Sequence, residues 1–205
     1  MPKLGNLLVM AAFAVGAVGC SRGPGRVKPP YINPDSAAAN AIELYDTNKD
    51  GSLDDAELAR CPAMLAEKKS YDTDGDSKIS REEIAARIAE IRKNGVGLTF
   101  LMCSVKLNGQ SLDDATIDFE PEPYLGDQIK SAHGVTNKTG MAQMAIRAEE
   151  LPSDQQDLKA IHYGTYKVRI THPKKALPPR YNTETTLGYE TRVGDPYAIF
   201  TLKTP

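Results

Sequence analysis

The chain has no tryptophan, only 6% aromatic residues and three histidines in 205 residues. It also lacks a basic cluster: 25 Lys and Arg against 27 Asp and Glu leave a formal charge of −2. Nucleic-acid binding uses a positive footprint and stacking rings, and neither is present. His133, His162 and His172 show no spacing that would place them around one metal, and read as surface or turn residues. There is no nucleophile elbow, no phosphate-cradling glycine loop and no paired carboxylates outside two acidic loops, so nothing points to an enzyme. The longest apolar run, Leu4 to Val18, is too short and glycine-containing for a membrane-spanning helix.

Acidity is present, and it is unevenly spread. Residues 35–94 carry 14 acidic and 9 basic side chains, a net of −5, whereas residues 95–205 carry 13 and 12, a net of −1. Two divalent cations would bring the first region to about −1, so its acidity is what bound ions require. The carboxylates gather in two stretches, 46–57 and 72–83. A calcium ion takes roughly six to eight oxygens, and a loop of about twelve residues supplies them at alternate positions. Position 1 is Asp46 or Asp72, position 3 Asn48 or Asp74, and position 5 Asp50 or Asp76. Position 7 needs only a backbone carbonyl, from Ser52 or Lys78, and position 9 is Asp54 or Ser80. Position 12 is Glu57 or Glu83, the ligand that closes the cage with two oxygens. Leu53 and Ile79, at position 8, suit a short β-bridge between the loops.

Six constrained positions recurring twice resemble the EF-hand family. The resemblance implies two Ca2+ sites on a paired, all-α helical unit over residues 35–95. One position separates the loops: Gly51 makes the sharp turn at position 6 of the first, and Ser77 stands there in the second. A left-handed non-glycine residue costs about 1 kcal/mol. The second site is therefore expected to be the weaker, unless the extra charge of Asp74 compensates. The alternative is two solvated acidic turns without metal.

The chain begins with Met1 and Lys3, continues through the apolar run and reaches Ala17-Val18-Gly19-Cys20. Small residues before a cysteine resemble the lipobox of bacterial lipoproteins. The resemblance implies a signal peptide over 1–19, a lipid on Cys20, export, and anchoring in the cell envelope. An ordinary secretory cleavage site after Gly19 is the other reading. Residues 20–34 are rich in proline and glycine and form an extended tether.

Asp35 or Ser36 is expected to cap a helix over 37–45. Pro62 cuts the helix leaving the first loop and starts another over 63–71. A last helix runs from Ser80 to about Asn94, opened by a Ser80-x-x-Glu83 capping box. The loops begin 26 positions apart, and such short linking helices favour a constantly occupied structural clamp over a sensor that opens a groove.

From Gly97 the pattern alternates. Strands are expected over 98–107, 115–119, 133–136, 141–146, 165–170, 190–193 and 197–202, with hairpin turns at Asn108-Gly109 and over 137–140. About seven short strands imply a β-sandwich over 96–205. The run Leu107, Asn108, Gly109, Leu112, Ala115, Ile117, Phe119 resembles carboxypeptidase regulatory-like, transthyretin-like domains. So do Gly134 to Gly140, Gly164 to Val168, and Leu177, Pro178, Tyr181 and Asn182. Small lipoproteins of the planctomycete type carry such domains, generally as binding or accessory modules. Residues 147–163 read as an inserted loop or short helix, capped by Ser153. Cys61 and Cys103 either bridge the helical unit to the first strand or stand as buried thiols.

The expected whole is a two-domain α+β protein, an all-α EF-hand pair followed by a seven-stranded transthyretin-like or Ig-like sandwich. Its expected function is calcium binding in an exported, lipid-anchored, non-catalytic module that meets an envelope protein or polymer. The alternative is a dockerin-like module whose protein contacts calcium regulates.

Overall fold

The computed structural model describes residues 27–93 and 95–204. The expected signal peptide, Cys20 and the tether up to residue 26 lie outside them.

The helical segment opens with α1 (Pro34–Tyr45). Its cap is Asn33, whose side chain accepts from the Ser36 amide, and Pro34 takes the first turn, where its missing N–H is harmless. The cap thus falls ahead of Asp35 and Ser36. Next come β1 (Ser52–Leu53), α2 (Asp55–Leu58), α3 (Pro62–Ala66), α4 (Lys68–Tyr71), β2 (Ile79–Ser80) and α5 (Arg81–Lys93). The single helix expected over 63–71 breaks at Glu67, whose φ of −105° and ψ of 15° leave the helical region.

The strands are β3 (Leu98–Thr99), β4 (Met102–Leu107), β5 (Gln110–Ser111), β6 (Thr116–Pro121), β7 (Ala132–Val135), β8 (Met141–Gln143) and β9 (Ala145–Ile146). They continue with β10 (Ile161–His162), β11 (Thr165–Thr171), β12 (Gly188–Glu190) and β13 (Tyr197–Leu202). A five-stranded sheet runs β12-β11-β6-β7-β9. A second runs β13-β4-β5, with β8 also on β4 and β13 parallel to β4. The expected turn between β4 and β5 forms, with Asn108 at φ 53° and Gly109 at φ 82°. Two successive positive φ values match strand twist across a two-residue hairpin. The strand expected over 98–107 breaks at Phe100 and Leu101, and β3 leaves to pair with β10 inside the inserted region.

Alternation buries one face of each sheet. Ile117, Phe119, Tyr166, Val168 and Ile170 face inward from β6 and β11, and Ala198, Phe200 and Leu202 from β13. Phe119 meets Phe200 edge-on across the gap, with ring centroids 6.2 Å apart. Burying a side chain of this size contributes about 2–3 kcal/mol.

The expected division into an all-α domain and a separate seven-stranded all-β sandwich is overturned. Thirteen short strands and five short α-helices occur among the described residues, two of the strands within the helical segment. One hydrophobic core runs from Ile32 through Tyr71 and Phe119 to Leu202. The cause is size: α2 and α4 have four residues each and α3 has five, too little to bury a core alone. They use the sheet as the other wall, α3 packing on β11 and β12. At Gly188 a Cβ would lie 2.2 Å from the Pro62 carbonyl carbon and the Ala63 nitrogen, so only glycine permits this approach. The structure is mostly β, with a helical layer continuous with the sheets.

Cys61 and Cys103 are separate, buried thiols rather than a disulfide. Cys61 stands at the N-terminal boundary of α3, without a capping side-chain bond, and lies against Glu122, while Cys103 lies within β4, between β13 and β8. Burial raises both thiols above their usual value, which keeps them protonated.

Candidate metal loops

Each acidic stretch closes on itself through side chains that accept backbone amides. In the first, Asp46 accepts from the Lys49 amide at 2.6 Å and the Gly51 amide at 2.9 Å. In the second, Asp72 accepts from Gly75 at 2.8 Å and Ser77 at 3.0 Å. Position 3 accepts from the amide of position 5, Asn48 from Asp50 and Asp74 from Asp76. Position 5 accepts from position 7, Asp50 from Ser52 and Asp76 from Lys78. At position 12, Glu57 Oε1 accepts from the Thr47 amide and Oε2 from the Asp54 amide. Glu83 repeats this with Thr73 and Ser80. The two loops share one hydrogen-bond design, 26 residues apart in the sequence.

The loops also touch. Ser52 pairs with Ser80, and Leu53 with Ile79, through the antiparallel β1-β2 bridge at position 8. Leu53 and Ile79 are fully buried, which roots the bridge in the core. Asp54 and Glu57 form a capping box on α2. Ser80 and Glu83 form the expected one, the Glu83 amide donating to Ser80 Oγ at 3.3 Å. The residues that bend each loop therefore also start the helix leaving it.

Two features of the loops differ from the sequence expectation. Lys49 at position 4 has φ 62°, Gly51 at position 6 has 87°, Gly75 at position 4 has 81° and Ser77 at position 6 has 68°. Each loop thus holds two left-handed residues, one glycine and one not, in opposite order. Lys78 also extends across the bridge, its Nζ 2.6 Å from Asp50 Oδ2 of the first loop.

Oxygens around one calcium ion at about 2.3–2.6 Å lie at most about 4.6–5.2 Å apart. Carboxylate oxygens of Asp72, Asp74 and Asp76 lie within 4.8 Å of one another, which fits that span. In the first loop the same positions are Asp46, Asn48 and Asp50, an oxygen set of the same hardness with one charge fewer. Burial alone would raise the Glu57 and Glu83 carboxyls, but the amides bound to them outweigh it and hold both below the ordinary carboxyl value. Asp50 is pushed down to about 2, chiefly by Lys78 and then by Ser52. These groups are charged at neutral pH, as hard-cation ligands must be.

The histidines stand in separate settings. His133 Nδ1 lies 2.5 Å from Asp118, His162 is buried beside Lys130, and His172 accepts the Lys174 and Lys175 amides. Two buried acids escaped sequence reasoning: Glu122, just after β6, and Glu190, which ends β12. The Tyr45 hydroxyl donates to Glu122 Oε2 and the Tyr71 hydroxyl to Glu190 Oε2, each at 3.0 Å. Arg87 also reaches Glu190, through Nε at 3.1 Å and through Nη2. No local signal marks such acids, because their partners are 77, 119 and 103 residues away.

No protein-family model, no curated protein and no solved structure matches this chain. Among the described residues, no helix is long and apolar enough to cross a membrane.

Proposed function

We propose that the chain binds two calcium ions, one in each acidic loop, and that the ions brace the helical layer against the sheets. The observation that carries this reading is the duplicated loop itself, in which positions 1, 3, 5 and 12 accept the same backbone amides twice, with the Asp72, Asp74 and Asp76 oxygens gathered within 4.8 Å. In the first loop Asp46, Asn48, Asp50, Ser52, Asp54 and Glu57 would hold the ion. In the second, Asp72, Asp74, Asp76, Lys78, Ser80 and Glu83 would do so. A bound ion supplies charge compensation for four carboxylates per loop, and its removal leaves them repelling one another. Calcium's role is structural in this reading: both loops are rooted in the common core, and ions that bind only the folded chain stabilise it by mass action.

The module is non-catalytic in this proposal. The lipobox-like Ala17-Val18-Gly19-Cys20 supports export and lipid attachment at Cys20, with an envelope protein or polymer as its partner. Thermal unfolding with calcium and with a chelator tests the calcium reading. At about 100 times the dissociation constant each ion contributes about 2.7 kcal/mol, so the chelator is expected to lower Tm by several degrees. An equal Tm in both conditions contradicts it.

A further inference from the structure

The residues flanking the two loops occupy matching positions and make matching contacts. Tyr45 immediately precedes Asp46, and Tyr71 immediately precedes Asp72. Four residues beyond the closing Glu57 stands Cys61, and four beyond Glu83 stands Arg87. In the first loop both flanking residues meet one buried acid. The Tyr45 hydroxyl bonds Glu122 at 3.0 Å, and the Cys61 thiol lies against the same carboxylate. In the second loop both meet another, Tyr71 bonding Glu190 at 3.0 Å and Arg87 pairing with it. The two acids are close on the sheet. Glu190 pairs with Thr165, the first residue of β11, and the Glu122 amide donates to the Thr165 carbonyl at 2.9 Å.

We propose that Glu122 and Glu190 are positioning residues, one for each metal loop, each fixing the loop's mouth by tying its entry residue to the residue four places past its exit. The inference rests on the calcium reading above. Its physical basis is preorganisation: a loop whose two ends are fixed on a rigid strand loses less freedom when an ion draws its oxygens together. Glu122 and Glu190 are 0% and 1% exposed, and Tyr45 and Tyr71 4% and 0%. In such surroundings a hydrogen bond to a carboxylate is strong, and its loss leaves a buried acceptor unmatched. The sheet does not touch a bound ion in this arrangement. It acts through the ends of the loops.

The arrangement assigns each tyrosine to one loop, and that selectivity is the test. Calcium is titrated into the full chain while the Gly51 and Gly75 amide resonances are followed by NMR; both amides donate to the first aspartate of their own loop. Tyr45→Phe is expected to move the Gly51 midpoint to about tenfold higher calcium and leave the Gly75 midpoint in place. Tyr71→Phe is expected to do the reverse. Arg87→Lys, a change on a partly exposed side chain, is expected to weaken the Gly75 midpoint alone and serves if a tyrosine variant does not fold. Midpoints that stay put, or that shift together in every variant, would overturn the proposal. A wild-type spectrum indifferent to calcium would instead overturn the metal reading beneath it.

Discussion

The two loops share a hydrogen-bond design and differ in where they hold charge. Both place four carboxylates at candidate ligand positions, but in the first loop Asp54 is turned to the helix, accepting the Ala56 and Glu57 amides. Asp50, in the same loop, accepts the Lys78 ammonium. In the second loop Asp72, Asp74 and Asp76 lie together, and Ser80, not an acid, starts the helix. Backbone strain does not separate them, because Lys49 carries in the first loop what Ser77 carries in the second. Equal numbers of carboxylates at the ligand positions are therefore expected to make unequal sites, the second the tighter. This reverses the order that Gly51 and Ser77 suggest when read alone.

The largest expected effect that tests this ranking comes from the closing glutamates. Glu83→Gln removes one charge and weakens the tighter site by on the order of 100-fold, and Glu57→Gln does the same to the other. In calorimetry Glu83→Gln should erase the first heat and Glu57→Gln the second; the opposite pairing breaks the ranking. The strain argument is sharpened by Lys49→Gly and Ser77→Gly. Each relieves about 1 kcal/mol of left-handed conformation, partly offset by the freer unfolded chain. Denaturant melts in chelator should show similar gains for both, and a gain confined to Ser77→Gly would restore the sequence-based order.

Acid titration compares the loops in another way. Glu57 and Glu83 titrate below the ordinary carboxyl value of 4.5 in the folded chain. A lowered folded value gives stability that is present above the unfolded value and lost as pH falls through the folded one. Metal-free protein should therefore lose stability on acidification below about pH 4.5. Either glutamine variant should flatten that loss by a similar amount, since both glutamates accept equivalent amides. The smallest effect is at Lys78. Lys78→Gln should tighten the first loop by about two- to fivefold, as an exposed pair allows, and barely move the second. A weakened first loop would mean that the ammonium supports the site.

Much of the loop design was legible because it is local. Alternate oxygens, Leu53 and Ile79 for the bridge, and Ser80 with Glu83 for the cap all act within a few positions of one another. The Asn108-Gly109 hairpin and the alternation of Tyr166, Val168 and Ile170 were legible for the same reason. The left-handed Lys49 was not, since lysine carries no mark of that conformation. Nor was the single core. Pro62 announced short helices, but that they would seek the sheet depends on Gly188, 126 residues later. Glu122 and Glu190 look like surface acids in a strand region, and groups arriving from far along the chain make their burial tolerable: Tyr45, Cys61 and Lys167 at Glu122, and Tyr71 and Arg87 at Glu190. The break at Phe100 was hidden because its cause, pairing of β3 with β10, lies some sixty residues away.

Isothermal calorimetry of the metal-free chain with calcium tests the central claim most directly. The account predicts two binding events, the tighter one lost in Glu83→Gln and kept in Glu57→Gln. Absence of binding heat at calcium concentrations up to about 10 mM, beyond the range of even weak exported loops, would contradict it.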